Sequence, residues 1–178
     1  MTRWQAGAGP IRFVCLDWGG TLMSEAGPAG VPMANWPSVA AIDGAAALLE
    51  ALASEGRVPC IATNAQDSRA SDISAALARV GLDRHIRHVF CFVEIGARKD
   101  SEAYWNAVLS RLGASPDAIV MIGDSLEQDV LAPMRSGIRS IWFNPAGKSL
   151  PPGIEAPTVR SLPEAARKIA HLERGDAG

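Results

Sequence analysis

Cysteines, long apolar runs and basic runs are scarce or absent in this 178-residue sequence, and each shortage argues against a class of protein. The three cysteines are odd in number and lie in apolar segments, which favours reduced core residues over a disulfide framework. No apolar run reaches the roughly 18 residues of a membrane span, and residues 1–10 lack an apolar signal-peptide core. The net charge is −2 and the sequence has no basic run, so it lacks the positively charged surface that binds nucleic acids and anionic membranes. We therefore expect a cytoplasmic protein with neither a nucleic-acid partner nor a membrane partner.

The sequence does contain a regular alternation of apolar strand-like runs and helical patterns. Runs that are apolar on both faces, as in buried parallel strands, occur at 11–16, 58–62, 89–93, 118–122 and 140–143. Strands that alternate with helices are typical of right-handed βαβ units. The sequence thus predicts an α/β fold, with a doubly wound, Rossmann-like, parallel five-stranded sheet and helices on both faces.

Amphipathic patterns separate these strands, and a glycine follows each one as a left-handed helix stop. The predicted helices are residues 43–55 before Gly56, the pattern of Ile73, Leu77 and Val80 before Gly81, and the stripe from Tyr104 to Leu112 before Gly113, capped by Asp100 or Ser101.

The C-terminal third needs a separate interpretation because it contains several prolines. A helix is predicted to begin near Val130, since Pro133 lacks a backbone N–H and is tolerated only near a helix start. Residues 144–157 are predicted to form a loop, and a last helix runs from Leu162 to Leu172.

A chain of this length fits one domain, which can bury a stable core without disulfides or structural metals. We expect a single domain over 1–178, with a core at 11–172 and loose tails at 1–9 and 173–178.

Polar residues follow four of the predicted strands, where an open parallel sheet binds its ligands. They are Asp17-Trp18-Gly19-Gly20-Thr21 after the first strand, Thr63-Asn64 after the second, Lys99 beyond the third, and Gly123-Asp124-Ser125 with Asp129 after the fourth. In order and setting they resemble the four motifs of the haloacid dehalogenase (HAD) superfamily of hydrolases, from about residue 11 to residue 143. Lys99 is also one of only three lysines among 17 basic residues, which argues against a chance match.

The resemblance implies a covalent phosphatase mechanism. Asp17 would attack phosphorus and form an aspartyl-phosphate. Thr63 and the amides near Asn64 would bind the phosphate, because the chain there is expected to turn into a helix whose free N–H groups favour anions. Lys99 would neutralise the nucleophile and the transferring oxygens.

The resemblance also implies a magnesium site. In this family the first and fourth strands are neighbours, so Asp17 and Asp124 would face each other. At ~4 Å and an effective dielectric of ~20, two like charges repel by about 4 kcal/mol, which a divalent cation would more than offset. By resemblance, Mg²⁺ would bind Asp17, the backbone carbonyl of Gly19 and Asp124, with Asp129 in support.

One position departs from the phosphatase pattern. Phosphatases of this family usually carry a second aspartate two positions after the nucleophile, where this chain has Gly19. Loss of general acid–base catalysis costs about 10²- to 10⁴-fold in rate, so slow turnover is expected unless another group substitutes. Asp129, Glu127 and water are conceivable substitutes, and none is compelling.

Glycine at this position keeps other functions open. The chain is either a slow phosphatase or a non-catalytic, regulatory module that binds metal and phospho-ligands. C–P cleavage and phosphoryl transfer to an acceptor other than water are further alternatives. Phosphonoacetaldehyde hydrolases also have a small residue at this site, but they use a Schiff-base lysine from a cap, and residues 23–62 contain no lysine.

The sequence leaves no room for a cap domain. Only about twenty residues, rich in Gly and Pro, separate Thr21 from the helix near Asp43. Trp18, Met33 and Trp36 are expected to form an apolar rim. We therefore expect a phosphorylated substrate at an open site. Without a cap, either the substrate is large or a neighbouring subunit of a homo-oligomer closes the site.

Overall fold

The strands of the sheet follow the predicted apolar runs closely. A computed structural model of the chain describes residues 9–28 and 30–174. Its six parallel strands lie in the order β3-β2-β1-β4-β5-β6. They are β1 (Phe13–Leu16), β2 (Val58–Thr63), β3 (His88–Cys91), β4 (Ile119–Gly123), β5 (Arg139–Phe143) and β6 (Thr158–Val159). The doubly wound α/β prediction is confirmed, with a sixth, two-residue strand added at one edge.

The helices connect these strands. They are α1 (Ala45–Ser54), α2 (Ala70–Ala78), α3 (Phe92–Ile95), α4 (Glu102–Leu112), α5 (Ala132–Arg135) and α6 (Leu162–Arg174). Short 3-10 helices cover Met33–Asn35, Asp83–His85 and Pro116–Ala118. Ser101 is the cap of α4, where its hydroxyl accepts a hydrogen bond from the Tyr104 amide at 3.4 Å.

Helices pack against both faces of the sheet, as predicted. In β1, Val14 and Leu16 point into a core shared with α1, α2 and α6, whereas Phe13 and Cys15 point into a second core shared with α4. Side chains of successive strand residues point to opposite faces, so one short strand contributes to both cores. The strand is therefore held firmly where it ends, at Asp17.

Two predicted element boundaries are wrong. Strand β3 ends at Cys91, and the next residues form α3 instead of continuing the strand to 93. The helix expected near Val130 begins earlier, as a π-helical turn over Leu126–Leu131 that is capped by Ser125. Pro133 lies in the first turn of the following α5. The missing proline N–H therefore affects only α5, and the π-helical turn before it is free to begin at residue 126.

The predicted C-terminal tail is wrong for residues 173 and 174, which belong to α6. Glu173 makes two hydrogen bonds with Arg57, at 2.7 and 2.9 Å, and accepts a third from the Ile11 amide. Gly9, assigned to the other tail, accepts a hydrogen bond from Arg139 through its carbonyl. Residues 1–8 and 175–178, also predicted as tails, lie outside the described part of the chain.

The segment between β1 and α1 holds a single 3-10 helix among its described residues, and no cap domain. Within the described ranges, no helix is long and apolar enough to cross a membrane.

Candidate active site

The predicted acidic residues meet at the carboxyl ends of β1 and β4. These strands are neighbours, with Leu16 beside Ile122, and the Asp17 amide extends the pairing by donating to the Ile122 carbonyl at 2.9 Å. Asp17, Asp124 and Asp129 each present one carboxylate oxygen within 4.8 Å of the others. The crevice above them has a volume of about 560 Å³.

Lys99 is the cation at the base of this crevice. Its side chain is only 2% exposed, and its Nζ lies 2.5 Å from Asp17 Oδ1 and 2.7 Å from Asp129 Oδ1. Its backbone is fixed on both sides, since its amide donates to Asn64 Oδ1 and its carbonyl accepts from the Trp105 indole, both at 2.7 Å. Burial lowers the pKa of Lys99, but the two carboxylates outweigh it and the pKa is raised overall. The ammonium is therefore charged and positioned at Asp17.

Asp129 lies on the π-helical turn, fully buried beneath Asp17. One carboxylate oxygen accepts from Lys99, and the other accepts from the Ser125 amide at 2.9 Å. A Cβ on Gly123 would overlap this carboxylate, so glycine is required there for Asp129 to reach Lys99. Burial raises the pKa of Asp129 against the opposing effect of Lys99, and Asp17 raises it further.

Asp124 presents its carboxylate to the crevice. Its carbonyl accepts a hydrogen bond from the Trp142 indole at 2.9 Å, which anchors the end of β4 to β5. Burial and the nearby Asp17 charge both raise the pKa of Asp124. Gly20 approaches this side chain closely, because a Cβ at residue 20 would lie 2.7 Å from Asp124 Oδ2.

This close approach predicts a result for Gly20→Ala. The substitution displaces the Asp124 carboxylate and forces a side chain onto a residue with φ of +76°. Gly56→Ala is the matched control, since Gly56 has φ of +71° and open space around its Cβ position. We expect both variants to lose about 1 kcal/mol of unfolding free energy, and only Gly20→Ala to lose Mg²⁺ affinity by calorimetry. Equal Mg²⁺ affinity in the two variants would contradict a metal role for Asp124.

The second strand delivers Thr63 and Asn64 to the same crevice. The Thr63 hydroxyl accepts from the Ala65 amide at 3.2 Å. The Asn64 side chain bridges two elements, accepting from the Lys99 amide and donating to Gln128 Oε1 at 2.8 Å. The helix expected directly after Asn64 is wrong, because a loop intervenes and α2 begins at Ala70. Any anion at Thr63 would therefore meet loop amides, and the free N–H groups of α2 begin several residues later.

Glu25 is a site residue that the sequence interpretation missed. It is exposed at the rim, and its carboxylate reaches into the crevice beside Gly19. Desolvation, followed by the charges of Asp17 and Asp124, raises the pKa of Glu25. The available signal was its position, since Glu25 is the first acidic residue after Asp17 in the sequence.

The apolar rim lies where the sequence predicted it. Trp18 and Met33 are buried, and both line the crevice together with Trp36. The Trp36 indole donates to the Val31 carbonyl at 2.8 Å. Arg79, which directly follows α2, ties this segment to the end of that helix, because its guanidinium donates to the carbonyls of Ala34, Trp36 and Pro37 at 3.1, 2.7 and 3.1 Å.

The donor set fits a hard divalent cation. Five carboxylates, from Asp17, Glu25, Asp67, Asp124 and Asp129, line the crevice together with two cations, Lys99 and Arg98. Carboxylate oxygens with room for water are the ligands that Mg²⁺ prefers, and a bound divalent cation would relieve the repulsion that remains between them. Asp129 has both oxygens engaged with Lys99 and the Ser125 amide, so it suits a supporting position better than direct ligation.

Asp17, the buried Lys99 and the acidic cluster therefore lie at the switch point of a parallel sheet, which is where folds of this kind bind their ligands. A family model described as haloacid dehalogenase-like hydrolase matches residues 33–137, which is more than half of the chain. The chain belongs to the haloacid dehalogenase-like hydrolase family.

Individual relatives agree with this membership. Pyrimidine 5'-nucleotidase YjjG of Escherichia coli is 30% identical over 127 residues, which are 69% of this chain and 54% of that protein. The chain thus spans about half the length of this curated relative. The HAD-hydrolase YfnB from Bacillus subtilis, crystallised with magnesium, matches with a TM-score of 0.65 and 27% identity, over 72% of this chain and 56% of that chain.

A fold match also extends over almost the whole chain. The crystal structure of an uncharacterized protein from Listeria monocytogenes has a TM-score of 0.80 at 22% identity, covering 92% of this chain and 99% of that one. The described architecture therefore also occurs in a chain of similar extent.

Proposed function

We propose that this chain is a Mg²⁺-dependent phosphoric monoester hydrolase that acts through an aspartyl-phosphate on Asp17. The observation that carries the proposal is the setting of Asp17 at the end of β1. One of its oxygens is bound to Lys99, and the other faces the Thr21 hydroxyl at 3.3 Å, beside Asp124. A carboxylate held between a buried cation and a metal-compatible acidic cluster is suited to attack an electron-poor phosphorus.

In the proposed first step, an oxygen of Asp17 forms a bond to phosphorus while the bond to the leaving alcohol oxygen breaks. Lys99 stabilises negative charge at the reacting oxygens, and Thr63 with the loop amides after it binds the phosphoryl group. Water then attacks phosphorus, the bond to Asp17 breaks, and inorganic phosphate leaves. Asp17, the Gly19 carbonyl and Asp124 would hold Mg²⁺, with Asp129 in support, and the bound ion would supply charge neutralisation.

Relatives support this reaction class. The pyrimidine 5'-nucleotidase named above is a phosphatase-type enzyme, and the YfnB structure contains magnesium. We extend the phosphomonoester specificity and the metal to this chain by similarity. The cytoplasmic location, the single domain and the homo-oligomer that closes the open site stay predictions.

The non-catalytic alternative rests on one observation, the absence of a side chain at Gly19. A module of that kind would bind inorganic phosphate without hydrolysing phosphomonoesters. The carboxylate of Glu25 beside Gly19 favours the enzymatic interpretation, because it returns an acidic group to this part of the crevice.

The test is phosphate release from a panel of monoesters. The panel contains pyrimidine nucleoside monophosphates, a sugar phosphate and an aryl phosphate. We expect release with Mg²⁺, none after chelation, and full recovery when Mg²⁺ is returned. Circular dichroism of the chelated protein controls for unfolding. Release that is equal with and without Mg²⁺ would contradict metal dependence, and phosphate binding without any release would favour the non-catalytic module.

A further inference from the structure

The carboxylate of Glu25 occupies the space that a side chain at residue 19 would fill. A Cβ on Gly19 would lie 2.8 Å from Glu25 Cδ and would overlap Glu25 Oε1. Real Cβ atoms do not approach other heavy atoms so closely, so a side chain at residue 19 would require the end of the Glu25 side chain to move. The crevice therefore has an acidic group at residue 19's position, supplied by a different residue.

The backbone explains how Glu25 reaches this position. After β1 the chain folds back on itself, with the Met23 amide donating to the Trp18 carbonyl at 2.8 Å and the Gly20 amide donating to the Met23 carbonyl at 2.9 Å. Met23 is bridged to Gly19 on one side and to Ala41 on the other. Glu25 follows two residues later, so its side chain begins from a fixed point next to Gly19.

We propose that Glu25 transfers the proton in this active site, in place of the aspartate that is absent from position 19. This inference rests on the proposed phosphatase function. The protonated carboxyl of Glu25 donates its proton to the leaving alcohol oxygen as the P–O bond breaks and Asp17 bonds to phosphorus. The resulting carboxylate then takes a proton from the attacking water as the bond between Asp17 and phosphorus breaks, which restores the acid.

The other acidic groups considered for this role are already engaged. Asp129 is fully buried, and its two oxygens bind Lys99 and the Ser125 amide. Glu127 forms an exposed ion pair with Arg135 at 2.7 Å. Glu25 is the carboxylate that combines access to the crevice with a position beside Gly19.

The first experiment compares Glu25→Gln with wild type on two substrates. An alkyl phosphate needs protonation of its leaving oxygen, whereas an aryl phosphate with an acidic leaving group does not. We expect Glu25→Gln to lose about 10²- to 10⁴-fold of alkyl phosphate turnover. With the aryl phosphate we expect Asp17 still to be phosphorylated, but water attack to be slow. The phosphoenzyme then accumulates, and mass spectrometry of the acid-quenched protein measures it.

The second experiment moves the carboxylate. Glu25→Ala removes the acid and opens the space at residue 19, so adding Gly19→Asp to it is expected to recover at least about tenfold of the lost alkyl phosphate turnover. Gly19→Asp alone is expected to give no gain, because the new carboxylate displaces the carboxylate of Glu25 from the same space. A double variant no more active than Glu25→Ala would contradict the shared position.

The controls separate this inference from the proposed function. Glu50 is an exposed glutamate on α1 that pairs with Arg84, and Glu50→Gln is expected to match wild type in both assays. Glu25→Gln could instead match wild type in alkyl phosphate turnover and in phosphoenzyme level while Asp17→Asn is inactive. That result would overturn the role of Glu25 and leave the phosphatase function intact. A weakened Mg²⁺ affinity with unchanged leaving-group dependence would also overturn it, in favour of a metal ligand. Wild-type protein that neither hydrolyses nor is phosphorylated would remove the proposed function itself.

Discussion

Replacing Asp17 with asparagine is expected to abolish both phosphoenzyme formation and phosphate release. Asparagine has nearly the same shape as aspartate, and its carbonyl oxygen can still accept from Lys99, which contacts Asp17 at 2.5 Å. It lacks the negative oxygen that would attack phosphorus, so we expect turnover to fall by roughly 10⁴- to 10⁶-fold. The measurement is steady-state phosphate release together with the mass of the acid-quenched protein.

The Asp17→Asn variant is expected to fold normally, which makes its loss of activity interpretable. The substitution removes a charge that faces Asp124 and Glu25, so repulsion in the crevice decreases. Asp83→Asn, at an exposed position on a 3-10 helix, is the matched control and should retain full activity. Activity in Asp17→Asn equal to that of the control would remove Asp17 as nucleophile.

Replacing Lys99 with methionine is expected to give the largest loss of stability. The ammonium is almost completely buried between Asp17 and Asp129, and methionine leaves both carboxylates without their cation. Removing one partner from a buried charge pair costs about 3–5 kcal/mol, so we expect that decrease in the free energy of unfolding in urea. We also expect catalytic activity to be lost, because Asp17, the proposed nucleophile, loses its contact with the Lys99 ammonium.

A second substitution tests the electrostatic cause. In the double variant Lys99→Met with Asp129→Asn, one of the two unpaired charges is gone, and we expect part of the stability to return without any return of activity. Lys148→Met changes an exposed lysine and should leave both properties as in wild type. Stability of Lys99→Met within about 0.5 kcal/mol of the Lys148→Met control would contradict a structural role for the buried ion pairs.

The parts of the fold that follow from periodic patterns could be predicted. Strand β1 is apolar on both faces because both of its faces are buried, and the glycines that end the helices have the expected left-handed backbone. The resemblance to the haloacid dehalogenase superfamily, in which the first and fourth strands are neighbours, placed Asp17 and Asp124 together, because parallel neighbours end at one edge of the sheet. Lys99 was identified by its match to a motif of that superfamily beyond the third strand, and the scarcity of lysine argued against a chance match.

The rest depends on tertiary contacts that have no local pattern. The π-helical turn before Pro133 is stabilised by Ser125 and by Asp129, whose carboxylate closes it through the Ser125 amide. The end of α6 is fixed by Arg57, more than a hundred residues away in the sequence. Glu25 lies in a segment of Gly and Pro without periodicity, and only the fold-back after β1 brings it to Gly19.

The bonding of Arg79 has a further consequence for how this crevice would choose among substrates. The Arg79 guanidinium, at the C-terminal end of α2, binds the carbonyls of Ala34, Trp36 and Pro37, so the apolar wall around Trp36 is attached to that helix. Enzymes with hinged covers select by closing around the right molecule and must reopen afterwards. A pre-assembled wall selects substrates by shape complementarity alone. Replacing Arg79 would remove the three hydrogen bonds that hold this wall and make it more mobile.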